Sequence, residues 1–367
     1  MGKSVQTRYG DLLVPDTSED LIINHLEQFG EWAFEETRFI SSLLSEDARV
    51  LDIGACFGTF SLGLAEGFPQ RTFTLIEANP ITFPFLQANI DKHLAKRAIC
   101  LNQLLVPEGE QIDTGWISES NIGATSFVEP TALTARIVEV EVACQSVTLS
   151  QALSEYEPFD LIKFDIEGME ESIARTFEQI TDLQNSILWI ECNESSKSVE
   201  LCQHLLRLNR PVYYCAFPTF NNENFNGSSR SIYPFAFESG LLVGGIDGLI
   251  PDSDKKLSPI FRPINSTFDL KEAMWNTPRW GLQGWENLQL SSLIAQVTHD
   301  LAGEERESYL STPGEIERTG NNSEYTPKET LLINRHHVLE REITRLKGII
   351  GDQSRVIDEL RARESQP

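Results

Sequence analysis

The sequence lacks the cysteine patterns that indicate a metal site or a disulfide framework. Its six cysteines stand at positions 56, 100, 144, 192, 202 and 215, with no Cys-x-x-Cys pair and no interleaved histidines. Such spacing argues against a zinc site and favours reduced thiols, as found in a cytoplasm. We therefore predict a cytoplasmic chain that needs no metal.

Long apolar runs and an excess of positive charge are also missing. No apolar stretch reaches the roughly eighteen residues that span a bilayer. The N-terminus shows no basic start followed by an apolar run, so we expect no secretion signal. Because 55 Asp and Glu face only 30 Lys and Arg, the formal net charge is −25. Phosphates would be repelled, and nonspecific nucleic-acid binding is not expected.

The apolar runs that are present alternate with helical segments. Strands are predicted at 48–53, 72–76, 98–106, 159–164, 187–190 and 212–217, and helices at 20–29, 31–44, 59–67, 83–94, 169–180 and 196–208. Such alternation predicts an α/β fold with a mostly parallel sheet and helices on both faces. Residues 111–117 and 136–142 should pair as an antiparallel flap, and 235–243 should add a closing strand.

The most informative segment is 50–58, V-L-D-I-G-A-C-F-G, which leads through a helical segment to a second apolar run ending at Glu77. This is a strand, turn, helix, strand unit with a carboxylate where a nucleoside ribose would lie. Gly54 and Gly58 would let the backbone approach a ligand closely. Glu77 could accept hydrogen bonds from both ribose hydroxyls. A plain turn between strand and helix, without a ligand, is the alternative.

The same turn does not fit a nicotinamide dinucleotide. That cofactor needs Gly-x-Gly-x-x-Gly, and Cys56 occupies the middle glycine position. Asp52 would repel a pyrophosphate but would suit an ammonium group. S-adenosylmethionine, with a sulfonium, an amine and a ribose, fits these requirements. The predicted cofactor-binding residues are Asp52, Gly54, Ala55, Gly58, Glu77 and Asn79.

A second segment with chemical content is 160–170, D-L-I-K-F-D-I-E-G-M-E. An apolar strand ends at Asp165, Glu167 follows, and Gly168 turns the chain into a helix. Ligands of open α/β sheets bind beyond such strand ends. Asp165 and Glu167 are therefore candidate catalytic residues, although turn chemistry with acids at a helix N-terminus would explain them too. We expect Lys163 to pair with an acid inside the sheet.

Carboxylates at or just after strand ends should ring one crevice. Mutual repulsion would raise some of their pKa values, so that one could accept a proton near neutral pH. The five expected in this ring are Asp52, Glu77, Asp165, Glu167 and Glu191.

The domain layout follows from these patterns. We predict an N-terminal helical cap at 1–47, the main domain at 48–245 and an aromatic-rich extension at 246–301, where Trp275, Trp280 and Trp285 serve either packing or ligand stacking. A flexible linker at 302–328 should precede a coiled-coil helix at 329–364, whose a/d seam runs over four heptads. The coil would assemble a homo-oligomer or dock a partner; a single amphipathic helix packing on its own domain is the alternative.

Taken together, these segments resemble the FkbM family of S-adenosylmethionine-dependent methyltransferases. Segment 50–58 resembles the family's first motif, although Cys56 stands where the family usually has Asn. Glu77 matches the acidic ribose-binding position, 121–126 resembles an Asn-x-Gly-x-x-Ser element, and 160–170 matches a signature segment closely. Segments 29–32, 190–193 and 220–225 resemble one branch, and the likeness covers roughly 8 to 245.

The resemblance implies a class I methyltransferase fold and methyl transfer to a hydroxyl of a sugar or natural product. Catalysis would come from holding the acceptor oxygen about 3 Å from the methyl group, with Asp165 or Glu167 taking the proton. Asn121, Glu191 and Asn193 would orient sugar hydroxyls. We expect O-methylation of a sugar, a glycan or a glycosylated metabolite. The alternatives are a non-sugar hydroxyl on a polyketide or peptide, and a scaffold with a vestigial pocket that works through its coil.

Overall fold

The computed structural model describes residues 2–17, 20–118, 121–127, 137–156, 158–192, 196–219, 221, 223–228, 237–244, 260–275 and 277. The strands among them are β1 (Gly2–Thr7), β2 (Gly10–Pro15), β3 (Arg49–Ile53), β4 (Thr72–Ile76), β5 (Ala98–Leu101), β6 (Gln103–Leu105), β7 (Thr114–Ser118), β8 (Asn121–Ser126), β9 (Ile137–Glu141), β10 (Gln145–Val147), β11 (Leu161–Phe164), β12 (Ile187–Glu191), β13 (Val212–Pro218), β14 (Phe237–Val243) and β15 (Ile260–Pro263). The helices are α1 (Leu21–Phe29), α2 (Phe34–Ser42), α3 (Thr59–Ala65), α4 (Phe83–His93), α5 (Leu149–Ser154), α6 (Glu170–Ala174), α7 (Ser196–Arg207) and α8 (Thr267–Trp275).

Eight of these strands form one sheet in the order β5-β4-β3-β11-β12-β14-β13-β15. Neighbours from β5 to β12 are parallel, whereas β14 runs antiparallel to β12 and β13, and β15 runs antiparallel to β13. The mostly parallel sheet and the closing strand are thereby confirmed. The order reverses between β3 and β11, which places the ligand crevice beyond their carboxyl ends. This order agrees with the class I methyltransferase fold that the resemblance implies.

Each face of the sheet carries its own apolar core. Leu51 and Ile53 of β3 pack on the face that α5, α6, α7 and α8 cover, and Val50 packs on the face that α1, α2, α3 and α4 cover. Successive residues of a strand point to opposite faces, so a strand covered on both sides must be apolar at nearly every position. The predicted helices on both faces are confirmed.

The flap is confirmed and extended. β7 pairs antiparallel with β9, as expected, and β8 joins β7 as a third strand.

The predicted strand at 98–106 is wrong as one element, since it divides at Asn102, whose side-chain amide donates to the carbonyl of Glu77. The predicted helix at 169–180 is shorter, because α6 ends at Ala174. The hairpin of β1 and β2, within the predicted helical cap, was not expected.

Several expectations lie outside the described residues. These are the linker at 302–328, the coil at 329–364, Trp280, Trp285 and Asn193, and they stay predictions. In the part of the chain that the structure describes, no helix combines the length and the apolar character needed to cross a membrane.

One buried cation joins two helix ends beside the sheet. Arg71 has no exposed surface, and its guanidinium makes five hydrogen bonds: Nε donates to Ser45 O, Nη1 to Ser41 Oγ and Leu64 O, and Nη2 to Ser41 O and Leu44 O. Its carbonyl acceptors lie at or just beyond the C-terminal ends of α2 and α3, where helices leave such groups without partners. A cation there also suits the helix dipole.

We predict that Arg71→Lys lowers the free energy of unfolding by about 2–4 kcal/mol, because a single ammonium cannot serve both helix ends and leaves buried carbonyls unpaired. Urea denaturation would measure it. The control is Arg38→Lys, since Arg38 is half exposed and pairs with Glu35 at 3.6 Å; we expect a change within about 0.5 kcal/mol there. Equal losses in both variants would refute the role assigned to Arg71.

Candidate active site

The backbone amides of the turn after β3 donate hydrogen bonds to other groups of the protein. Gly54 and Ala55 donate to the carbonyl of Ile76 at 2.9 and 3.1 Å, and Gly58 donates to the carbonyl of Ala55 at 2.8 Å. The amide of Cys56 donates to a carboxylate oxygen of Glu77 at 2.7 Å. A pyrophosphate cradle needs open N–H groups. These four amides are therefore not available to a pyrophosphate, in agreement with the sequence argument against a dinucleotide.

Gly54 lies where two parts of the backbone approach each other. Its φ is 79°, and a Cβ at this position would lie 1.7 Å from the carbonyl oxygen of Asp165. At Gly58, φ is 85° and a Cβ would lie 3.1 Å from the ends of Leu86 and Ile90. Both glycines thus make room for protein atoms, and their contact with a cofactor stays a prediction. The approach at Gly54 brings the two signature segments together.

Glu77 directly follows β4 and is buried. Only 8% of the residue is exposed, and its two carboxylate oxygens accept the amides of Cys56 and Asn79, each at 2.7 Å. Burial raises the pKa of Glu77, and these two hydrogen bonds oppose the rise. The Thr82 side chain also hydrogen-bonds to this carboxylate. Because a carboxylate has about four acceptor positions, it could still accept a ribose hydroxyl.

A buried ammonium lies between two carboxylates under the turn. Lys163 Nζ is 2.9 Å from Asp165 Oδ2 and 3.6 Å from Asp52 Oδ1, and Ser61 Oγ donates to Asp52 Oδ2 at 2.7 Å. Burial alone would lower the pKa of Lys163, but Asp165 and Asp52 raise it above its ordinary value. The expected pairing of Lys163 inside the sheet is confirmed. Asp52 has no exposed surface, so its contact with a cofactor ammonium stays a prediction.

Three carboxylates come together beyond the carboxyl ends of β11 and β12. Asp165 and Glu167 follow β11, Glu191 ends β12, and one oxygen from each lies within 4.8 Å of the others. Of the five predicted in one ring, these three meet, whereas Asp52 lies beneath them and Glu77 is bound to the turn at Cys56. Such a group could accept hydrogen bonds from several hydroxyls, and its spacing would also admit a divalent cation.

Two further buried carboxylates interact electrostatically with this group. Glu170 accepts the amides of Ile166 and Gly168, both at 2.9 Å, and so holds the turn in which Glu167 has a φ of 48°. Burial raises the pKa of Glu170 to about 8, and Glu191 adds to the rise. Glu170 is the last acid of the 160–170 segment, and its position there is the signal by which the sequence could have identified it.

The second is Glu36 of α2, to which no sequence pattern pointed, because it comes from a different helix. It accepts Trp189 Nε1 at 2.7 Å. Burial raises the pKa of Glu36 to about 7, while Lys163 and the Trp189 bond act in the opposite direction.

The flap strand β8 is hydrogen-bonded to the loops that follow β4 and β11. The amide of Asn79 donates to the carbonyl of Ile122 at 3.0 Å and to Thr125 Oγ1 at 2.7 Å. Ser126 Oγ donates to the carbonyl of Glu167 at 3.1 Å. The Asn79 side chain, predicted to bind the cofactor, thus holds the flap. Asn121 begins β8, and its side chain lies outside the description, as does Asn193 as a whole.

Comparison with known proteins gives only distant similarities. No family model matches the chain, and no curated protein matches it. Similar solved structures include precorrin-6y C5,15-methyltransferase from Geobacter metallireducens GS-15, with 13% identity, coverage of 57% of this chain and 84% of that one, and a TM-score of 0.33.

Two others have related descriptions. Methyltransferase FkbM from Methylobacillus flagellatus KT has 17% identity, coverage of 58% of this chain and 48% of that one, and a TM-score of 0.35. An O-methyltransferase from Bacillus cereus in complex with SAH has 13% identity, coverage of 63% and 84%, and a TM-score of 0.32. Identities and TM-scores this low carry no argument about the activity of this chain.

The raised pKa of Glu36 leads to a prediction about stability. Its pKa rises from 4.5 to about 7 on folding. The folded state therefore holds the proton more firmly, and stability falls as pH rises through this window. Glu36→Gln keeps an acceptor for Trp189 but cannot ionise. Between pH 5 and 8, we expect the variant to lose about 2–3 kcal/mol less unfolding free energy than the unaltered chain.

Urea denaturation at several pH values would measure this difference. The exposed Glu46→Gln is the matched control and should keep the original slope. Parallel pH curves for Glu36→Gln and the unaltered chain would show that Glu36 does not titrate as described.

Proposed function

We propose that this chain is an S-adenosylmethionine-dependent O-methyltransferase of the FkbM type. One observation carries the proposal: a buried, amide-bound carboxylate, Glu77, directly follows β4, the neighbour of β3, and the strand order reverses between β3 and β11. The crevice of an open α/β sheet lies at this point. The sequence resemblance over roughly 8 to 245 supports the same assignment.

The residues at this crevice fit the proposed cofactor. Glu77 would accept the ribose hydroxyls, and the acidic group of Asp165, Glu167 and Glu191 would favour a cationic ligand over a phosphate. The turn amides that a pyrophosphate would need are already bonded. When bound, the cofactor would supply an electrophilic methyl group on a sulfonium.

In this proposal Asp165 accepts the proton of the acceptor hydroxyl. Its side chain is 35% exposed, and Lys163 Nζ lies 2.9 Å from its Oδ2, so the carboxylate is held in place and remains partly accessible. Asp165 would take the proton that the acceptor hydroxyl loses when its oxygen is methylated. The main contribution would be orientation, because a positioned acceptor converts a bimolecular step into an effectively unimolecular one.

The acceptor that suits these groups is rich in hydroxyls. Carboxylates bind paired hydroxyls well, and Glu167 and Glu191 lie beside the proposed base. We therefore propose a sugar or glycan acceptor, with Asn121 and Asn193 as further contacts. All six cysteines are free thiols, which suits a cytoplasmic enzyme. The coil at 329–364 would serve assembly.

Cofactor binding is the first prediction of this proposal. S-adenosylmethionine should bind the full chain, and Glu77→Ala should weaken binding roughly 10- to 100-fold, because hydrogen bonds to a buried carboxylate are lost. Isothermal titration would measure both. Glu66→Ala, at an exposed position, is the control and should bind normally. No heat and no thermal shift at millimolar cofactor would favour a scaffold with a vestigial pocket instead.

The base assignment gives the second prediction. Asp165→Asn should lower kcat by about a hundredfold or more, while the cofactor Kd stays within about threefold. Formation of S-adenosylhomocysteine with a panel of sugars and sugar nucleotides would be measured, with the exposed Asp182→Asn as the control. Full turnover in Asp165→Asn would rule out this residue as the base.

A further inference from the structure

Two buried side chains from distant parts of the chain hold one residue of the flap. Asp20 Oδ2 accepts the backbone N–H of Ile122 at 2.7 Å, and Asn79 Nδ2 donates to the carbonyl of Ile122 at 3.0 Å. Asp20 is 0% exposed and Asn79 is 1% exposed. Asp20 precedes α1 and Asn79 follows β4, so two separate elements hold the backbone N–H and the backbone carbonyl of the same β8 residue.

Each gripping side chain is itself fixed by the fold. Asp20 Oδ1 accepts the amide of Ile23 at 2.8 Å and so caps α1. Asn79 Oδ1 accepts the amide of Ile81 at 2.8 Å, and the backbone amide of Asn79 donates to Glu77 at 2.7 Å. Both side chains therefore act through protein partners and are too buried to meet a ligand directly.

The same strand is attached at its other end. Thr125 Oγ1 accepts Asn79 Nδ2 at 2.7 Å and donates to the carbonyl of Ile122 at 2.9 Å. Ser126 Oγ donates to the carbonyl of Glu167 at 3.1 Å. Since β3 lies between β4 and β11 in the sheet, a strand fastened at both of these turns passes over the carboxyl end of β3.

We infer that Asp20 and Asn79 are positioning residues that clamp β8 as a fixed wall of the acceptor site, between Glu77 and Glu167. A hydrogen bond from a buried amide to a carboxylate is a strong one, and breaking it would leave a buried charge unpaired. The strand is therefore a wall rather than a lid that opens at each turnover. That the wall faces a methyl acceptor rests on the proposed function; the clamp itself does not.

Hydrogen exchange tests the clamp without any ligand. In the full chain, Asp20→Asn replaces one of the two carboxylate oxygens that accept backbone amides. Thr125→Val removes the hydroxyl that accepts Asn79 Nδ2 and donates to the carbonyl of Ile122. We expect exchange protection of residues 121–126 to fall roughly tenfold or more in Asp20→Asn and by a smaller factor in Thr125→Val. Asp11→Asn is the matched control, because Asp11 lies on the exposed edge of β2. Unchanged protection in both variants would overturn the clamp.

Kinetics separate the wall from the cofactor site. Asp20→Asn should lower kcat/KM for a sugar acceptor about tenfold, while the Kd for S-adenosylmethionine stays within about threefold. Adding Asn79→Ala to Asp20→Asn should cost less than the product of the two single losses, since either change releases the same strand. An equal loss of cofactor affinity, or losses that multiply, would overturn the role of β8 as acceptor wall. Failure of the unaltered chain to bind the cofactor would instead refute the proposed function. The hydrogen-exchange result would still test the clamp, because that experiment uses no ligand.

Discussion

The buried ion pair between β3 and β11 is the interaction on which the candidate site depends. Lys163 stands directly opposite Asp52 in the parallel register of these strands, and it also reaches Asp165 beyond the strand end. Removing one partner of a buried pair leaves an uncompensated charge, which costs far more than the pair contributes. The ammonium thus ties the middle of the sheet to the carboxylate at its edge. Without it, Asp52 and Asp165 would repel each other.

The close approach at Gly54 also links the ends of β3 and β11, in this case because the glycine has no side chain. Because no Cβ stands between Gly54 and the carbonyl of Asp165, the turn after β11 can lie against the turn after β3. Glu170 then fixes the second turn through two amides, and Glu77 fixes the first through Cys56. Charge and backbone geometry therefore act on the same pair of turns.

Much of this arrangement could be predicted from sequence, and the failures have physical causes. The strand at 72–76 and the helix at 196–208 were found almost to the residue, because apolar periodicity is strong there. The orientation of Asp52 could not be found, since β3 is covered on both faces and its period of two is hidden. Glu36 and Asp20 reach the site from α2 and the start of α1, and contacts at such sequence separation leave no local pattern. Asn79 was placed in the right loop, but its partner on the flap was not foreseeable from spacing alone.

The turns at the strand ends and the flap are held in different ways, and this suits them to different roles. Turns at the ends of parallel strands are fixed by the sheet, so the residues on them can be held to the tolerance that a cofactor and a transferred methyl group require. The flap lies outside the eight-stranded sheet, so its shape can vary without disturbing those turns. Variation is useful only if the flap is nevertheless rigid at the point of contact. Two buried polar side chains that hold the backbone N–H and carbonyl of Ile122 provide that rigidity locally. Thr125 and Ser126 fix the other end of β8, so the parts of the flap outside β8 can differ.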